Sequence, residues 1–207
     1  MSYQPTPPHH VPRSFQLNPA LPQRTRSPVR GRPLPFDDEV PIDQVELARR
    51  HDLLRRLGVS TAPSPDMDEL ARGMASEAGF LYGFVNLFLE SQTFVGLHQP
   101  PADSGHVIVG RTMSRDHGWC PEVMSRRKAL PLADVHASPR FSSNEVADSV
   151  GIRSYFGAPL IHESGVVLGT VCVIDPEPRP LADAERIRDV TLSTTAQVME
   201  HITGRTR

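Results

Sequence analysis

Arg153-Ser-Tyr-Phe-Gly-Ala-Pro-Leu-Ile-His-Glu-Ser-Gly165, running on through Val166-Val-Leu-Gly-Thr-Val-Cys-Val-Ile-Asp175, decides the fold of this chain. It contains two apolar runs, Tyr155–Ile161 and Val166–Ile174, around the polar turn His162-Glu-Ser-Gly165. Two such runs about a Gly-containing turn predict a β-hairpin. The second run is rich in β-branched residues and nearly free of polar atoms. That pattern predicts a strand buried on both faces, near the middle of a sheet. Asp175-Pro-Glu-Pro-Arg-Pro180 ends it, because neither strand nor helix continues through alternating prolines. The rest of the folded chain must cover this hairpin.

A chain of 207 residues allows one core of moderate size plus a tail. Hydrophobic residues make up 38%, and no run of about 18 apolar residues occurs, so no transmembrane helix is expected. The N-terminus lacks the basic-then-apolar pattern of a signal peptide. Two cysteines, Cys120 and Cys172, are too few for a disulfide scaffold and indicate a reducing, cytoplasmic compartment. The net charge of −2 hides a split: residues 1–35 carry five Arg and no acid, and the remainder has a net charge of −7. One Lys against 21 Arg suits a bacterium of high genomic GC content.

Ten of the 21 prolines fall within residues 1–41, where apolar residues are isolated and no period emerges. This stretch is expected to be a disordered or polyproline-like tail. Its five scattered Arg lack interleaved aromatics, which argues against a nucleic-acid arm. Residues 42–57 read as a helix with Leu47, Leu54 and Leu57 on one face and Leu53 beside them. Asp66-Met-Asp-Glu69 offers a capping arrangement for a second helix, with Met67, Leu70, Met74 and Ala78 at helical spacing and Gly79 as its stop. Two strands follow, Leu81–Glu90 and Gln92–Leu97; in the first, Val85, Leu87 and Leu89 alternate with Phe84, Asn86 and Phe88. Residues 98–117 read as a long loop, of the kind that often carries function.

His117-Gly-Trp-Cys-Pro121 holds the reactive side chains. Pro121 suits the first turn of a helix bearing Val123, Met124 and Arg127. Cys120 then sits where backbone N–H groups favour a thiolate, with His117 near in sequence; otherwise it is a small buried hydrophobe. Trp119, the only Trp, is expected to pack as core. A short strand, Ala129–Leu132, leads into a loop on which Asp134 can bind backbone donors and Arg140 and Phe141 can hold an anionic or planar ligand. Ser142, Ser143 or Asn144 can cap a short helix, Asn144–Val150. The last helix, Asp183–Ile202, places Ile187, Val190, Thr194, Val198 and Ile202 on one face, with Asp183 as candidate cap.

The order of elements is that of an α+β fold, an antiparallel sheet with segregated helices. The combination of Cys120, Ala129-Leu-Pro-Leu-Ala-Asp134, Pro139-Arg-Phe141, Arg153-Ser-Tyr-Phe-Gly-Ala-Pro-Leu160 and Gly169-Thr-Val-Cys-Val-Ile-Asp175 resembles the GAF domain over residues 42–203. The resemblance implies five or six antiparallel strands, helices on one face, a ligand pocket on the other, and first and last helices that pack together and often dimerise. The candidate ligand-binding residues are Phe94, Trp119, Cys120, Asp134, Arg140, Phe141, Asn144 and Tyr155. No catalytic residue, metal ligand or cofactor is nominated.

Three function classes compete. The first is a non-catalytic sensory or regulatory module that binds an unknown small molecule. The second is a free methionine-(R)-sulfoxide reductase, a family that resembles this chain in having a reactive cysteine 14 residues before an Asp-Val-His, as Cys120 lies before Asp134-Val-His136. That family also needs a cysteine where this chain has Asn144, and Cys172, on a buried strand, is a poor substitute. The third is a phytochrome-like tetrapyrrole sensor, disfavoured because Cys120 precedes Pro121 rather than His. No Walker lysine, CxxC or HExxH motif is present. With no output domain in the sequence, a signal is expected to pass through a homodimer or a partner protein, and neither membrane nor nucleic acid is expected as a partner. Leu53 beside Leu54, and Met199 beside Val198, widen the apolar stripes of the terminal helices and predict a dimer through them.

Overall fold

The structure is a computed structural model that describes residues 44–204. The proposed tail, residues 1–41, lies outside the described residues, as do 42–43 and 205–207.

Six strands form one antiparallel sheet: β1 (Tyr82–Phe88), β2 (Gln92–His98), β3 (Thr112–Met113), β4 (Leu130–Leu132), β5 (Ser154–Ile161) and β6 (Val167–Asp175). Their spatial order is β3-β2-β1-β6-β5-β4. The predicted hairpin is β5–β6, closed by Gly165 at φ +84° and by His162 and Val166 at its neck. All nine residues of β6 are buried, and it lies between β1 and β5 at the middle of the sheet. The α+β expectation holds. Within the long loop expected over 98–117, Thr112 and Met113 pair with Thr93 and Gln92 and add an edge strand. Two residues carry too little pattern for a strand to be read from sequence.

Three helices cover one face: α1 (Gln44–Arg56), α2 (Pro65–Ala78) and, at the end of the chain, the helix Ala184–Thr203. Met74, Ala75, Leu54 and Val198 pack there against Val85, Leu87, Val171 and Val173. The approach of α2 is close: a Cβ on Gly83 would lie 2.3 Å from the Ala71 carbonyl oxygen. The helix α2 begins at Pro65, one residue before the expected cap, and its N-cap Ser64 makes no side-chain bond. The acids of its first turn act otherwise: Asp68 accepts from Leu97 N and from both Nη atoms of Arg111, at 2.7–2.8 Å. Burial alone would raise the Asp68 pKa, but the Arg111 and Leu97 hydrogen bonds outweigh it and hold the carboxyl below its ordinary value.

On the opposite face lie α3 (Cys120–Arg126), α4 (Pro139–Ser142) and α5 (Glu145–Val150), so the last helix is α6. Arg127 does not extend α3 as expected; it ends it in the left-handed region at φ 54°. Asp183 precedes α6 without capping it through its side chain and pairs with Arg186 instead.

Two expectations about the terminal helices are corrected. The helix alongside α6 is α2 rather than α1. Leu53 is only 4% exposed, as buried as Leu54, and so covers the sheet of one chain instead of widening an exposed stripe, while Met199 is partly buried against the same core. The helix α1 is also held by a polar anchor, buried Arg50, whose Nε donates to Val167 O at 2.7 Å.

The α2–sheet contact gives a direct test. Gly83→Ala should destabilise the fold by about 1–3 kcal/mol, the range for overpacking a filled interior. Urea denaturation should show a lower midpoint with an unchanged slope.

Candidate functional site

The second face of the sheet carries the side chains that alternate away from α2 and α6. Phe84 and Asn86 from β1, Gln92 and Phe94 from β2, Tyr155 from β5, and Cys172 and Ile174 from β6 share it. The loop before α3, together with α3 and α5, closes over them. Between the two layers is a small cavity of about 40 Å³. Phe84, Phe94, Val109, Met113, Gly118, Trp119, Cys120, Val146, Val150, Tyr155, Cys172 and Ile174 line it. Aromatic pairs stiffen two of its walls: Phe84–Phe94 with ring centroids 4.9 Å apart, and Trp119–Tyr155 at 5.4 Å. No charged side chain is among the lining residues.

One polar cluster interrupts the apolar wall. Cys120 Sγ lies 3.8 Å from Cys172 Sγ, and both thiols are free. Thr170 donates its hydroxyl to Cys120 Sγ at 3.3 Å, and the Tyr155 hydroxyl lies 3.6 Å from the same sulfur. Gly157 makes room for that phenol: a Cβ there would stand 2.1 Å from the Tyr155 hydroxyl oxygen. Asn86 donates Nδ2 to Gln92 Oε1, and Gln92 Nε2 donates to the Ser114 and His117 carbonyls, tying the loop before Cys120 to the sheet. Asn86 Oδ1 is buried with no hydrogen-bond partner among the described residues.

This surrounding separates the two thiols. The Cys120 pKa is drawn down to about 7, chiefly by the hydrogen bond with Cys172, against the opposing effect of burial, with Thr170, Tyr155 and Asn86 adding to the lowering. The Cys172 pKa is raised well above its ordinary value by the same hydrogen bond and by burial. Burial and the facing Cys120 also raise the Tyr155 phenol. Cys120 is therefore the first of the group to ionise. His117 takes no part: its Nε2 lies 3.1 Å from Glu145 Oε2.

Of the candidates named from sequence, Phe94, Trp119, Cys120 and Tyr155 come together around the cavity. Asp134, Arg140, Phe141 and Asn144 do not line it. Asp134 accepts from His136 N and takes a bidentate pair from Arg153, at 2.6 and 3.1 Å, so the expected role in binding backbone donors is seen. The Arg153 hydrogen bonds hold its pKa below the ordinary carboxylate value. Arg140 points to solvent and pairs with Glu122 at 2.7 Å. Phe141 accepts at its carbonyl from Trp119 Nε1 at 3.1 Å and so orients the indole from behind. Asn144 caps α5 through Val146 N and donates Nδ2 to Gly118 O at 2.9 Å.

The largest departure is Cys172. The sequence reading left Cys120 without a second thiol in reach, yet the Gly157–Cys172 and Phe84–Cys172 pairings of the sheet set Cys172 directly beneath it. Strand alternation was the usable signal, since Cys172 and Ile174 fall on the face opposite Val171 and Val173. Val109, Met113, Val146 and Val150 offered no such signal, because they come from a loop, the two-residue edge strand β3 and a short helix.

The sequence model of the GAF domain family matches residues 66–202. The chain belongs to the GAF domain family. Similar solved structures include the GAF domain of an Acinetobacter phosphoenolpyruvate-protein phosphotransferase, 16% identical with a TM-score of 0.52 over 79% of this chain and 95% of that one. Another is a free methionine-R-sulfoxide reductase from Neisseria meningitidis in complex with its substrate, 14% identical with a TM-score of 0.50 over 79% of this chain and 93% of that one. At such identities the likeness concerns the fold. A cyclic di-GMP phosphodiesterase of Pseudomonas aeruginosa is 39% identical over 84 residues, a match spanning 40% of this GAF chain and 14% of that relative. No helix among the described residues is long and apolar enough to cross a membrane, and no cluster of three or more His, Cys, Asp or Glu among them could hold a metal ion.

The two kinds of candidate residue separate in their expected effects. Asn144→Ala removes a helix cap and the tether on Gly118, and should cost about 1–2 kcal/mol of stability. Arg140→Ala removes an exposed pair and should stay within about 0.5 kcal/mol of the parent. Denaturation of both variants under one buffer condition checks the contrast.

Proposed function

We propose that this GAF domain is a non-catalytic sensory or regulatory module of the cytoplasm that binds a small, uncharged, mostly apolar molecule. The cavity carries the reading: it lies partly open between sheet and short helices, is walled by aromatic and aliphatic side chains, and has no Asp, Glu, His, Lys or Arg in its lining. A free amino-acid sulfoxide carries an ammonium and a carboxylate, and a cyclic dinucleotide carries phosphates. Burying either there without counter-charges would be costly. That disfavours both sulfoxide reduction and nucleotide binding at this site. A linear tetrapyrrole, with its propionates, is likewise too large and too charged.

Output is assigned to the helix face, through a homodimer or a partner protein. Among the described residues, the exposed large apolar side chains include Leu192 on α6, 44% exposed, and Leu181 just before it, 81% exposed.

Native mass spectrometry and an absorption spectrum of the purified chain test the ligand. A bound neutral molecule of low mass, lost in Val146→Phe where the new ring fills the cavity, is the expected result. A stoichiometric nucleotide or tetrapyrrole, or turnover of free methionine sulfoxide, would overturn the proposal. Sedimentation at micromolar concentration should show association that weakens in Leu192→Glu.

A further inference from the structure

We propose that Cys120 and Cys172 form a peroxide-responsive dithiol, with Cys120 as the attacking sulfur, Cys172 as the resolving sulfur, and the apolar cavity as the route for a small neutral hydroperoxide. The observation is a juxtaposition. The only two cysteines of the chain lie 52 residues apart in sequence and 3.8 Å apart in space, and both face the same cavity. Two thiols merely filling space in a core need no hydroxyl donors. Here Thr170 donates to Cys120 and the Tyr155 hydroxyl faces it, with Gly157 leaving the space that the phenol occupies. Hydrogen-bond donors directed at a sulfur stabilise its thiolate, the form that attacks peroxides.

The same surroundings select the oxidant. A charged or bulky oxidant such as a peptide disulfide would have to enter an apolar cavity of about 40 Å³. Hydrogen peroxide and small alkyl hydroperoxides are neutral and fit that restriction. The Cys120 thiolate attacks the distal oxygen, the O–O bond breaks, and the leaving alkoxide takes a proton to depart as an alcohol, or as water from hydrogen peroxide. Cys120 is then a sulfenic acid. The Cys172 sulfur attacks the Cys120 sulfur; its thiol proton and the sulfenic hydroxyl leave as water, and the disulfide forms. Two thiols have lost two electrons, and one hydroperoxide has gained them.

Closure requires the sulfurs to approach from 3.8 Å to about 2.05 Å. Cys172 is fixed in the central strand, paired to Phe84 on one side and Gly157 on the other. The sulfurs close that gap by rotation of the two cysteine side chains, by a shift of the first turn of α3 onto the sheet, or by both. The chemistry itself does not depend on the ligand proposal, since an empty cavity serves as the route equally well.

The test uses the full chain, reduced, freed of reductant, and exposed to equimolar hydrogen peroxide or tert-butyl hydroperoxide. Thiols are then blocked with N-ethylmaleimide under denaturing conditions and the protein is read by intact mass and peptide mapping. The native chain should lose both thiols together and yield a Cys120–Cys172 peptide within a monomeric species. Cys172→Ser should stop at a sulfenic acid on Cys120 that dimedone traps. Cys120→Ser should leave Cys172 at least about tenfold slower to oxidise than the native pair. Tyr155→Phe, which keeps the ring, should slow the first step. In urea, where the pair separates, the intramolecular disulfide should form more slowly than in the folded chain. Two thiols that stay alkylatable after excess peroxide, a disulfide only between chains, or equal rates folded and unfolded would each overturn the proposal. None of these readings involves the ligand, so native mass spectrometry can fail while peroxide oxidation succeeds, and the reverse.

Discussion

Burial of β6 on both faces is the constraint on which the other elements depend. A strand of nine residues with every side chain covered needs a layer above it and a layer below. Its hydrogen-bonding edges need partners as well, which β1 and β5 supply along nearly its whole length. Long helices provide one layer, with α2 lying on β1 and β2, and α6 on β5 and β6. The other layer is assembled from what remains: a long loop and three short helices. The cavity beside Cys120 lies beneath that layer, and a separate cleft lined by Leu57, Val59, Met67, Val95 and Ile202 lies on the helix side.

The two layers also differ in chemistry. On the helix face the core is mainly aliphatic, with Phe80 and Phe156 its aromatic members and Ala71, Ala75 and Ala78 letting α2 settle close to the sheet. On the cavity face, Asn86, Gln92, Thr170 and Tyr155 bring amides and hydroxyls into the interior. Buried polar groups are costly unless satisfied. Most of these are satisfied by one another or by loop carbonyls. Gln92 fixes the two carbonyls that position the Cys120 turn, so the polar cluster orders the loop while it surrounds the sulfur. Asn144 fastens the same turn from the other side through Gly118 O.

How much of this was legible depended on how local each cause is. The β5–β6 hairpin, α2 with its Gly79 stop, and the faces of β1 were readable, because periodicity and turn chemistry are properties of adjacent residues. The edge strand β3 was not, since Thr112 and Met113 are strand only through Gln92 and Thr93. The candidate site divided along the same line. Trp119, Cys120 and Tyr155 stand in distinctive local contexts and do line the cavity. Arg140 and Asn144 stood out as residue types, but their hydrogen bonds are to Glu122 and to Gly118 and Val146. Cys172 reads from sequence as a poor substitute for a second thiol, because its contact with Cys120 spans 52 residues of sequence. Reading the register of the sheet, rather than its strands one by one, would have brought it beneath Cys120.

That register also sets how the cavity and the helix face can communicate. Successive side chains of β6 point to opposite layers, so Cys172 and Ile174 meet the cavity while Val171 and Val173 meet the helices. No side chain crosses the sheet; a change on one side reaches the other only if the backbone of β6 or β5 shifts. A filled interior resists gradual deformation and passes between discrete packings instead. For a molecule in the cavity to alter α2 and α6, it must therefore bind one packing of the sheet more tightly than another, and the coupling can be no larger than that difference in affinity. A covalent bond between α3 and β6 is a larger perturbation than a few apolar contacts, because it ties one layer to the other at a fixed separation. Of the two inputs the cavity face offers, the dithiol is thus the one better suited to carry a change through the sheet to the helices.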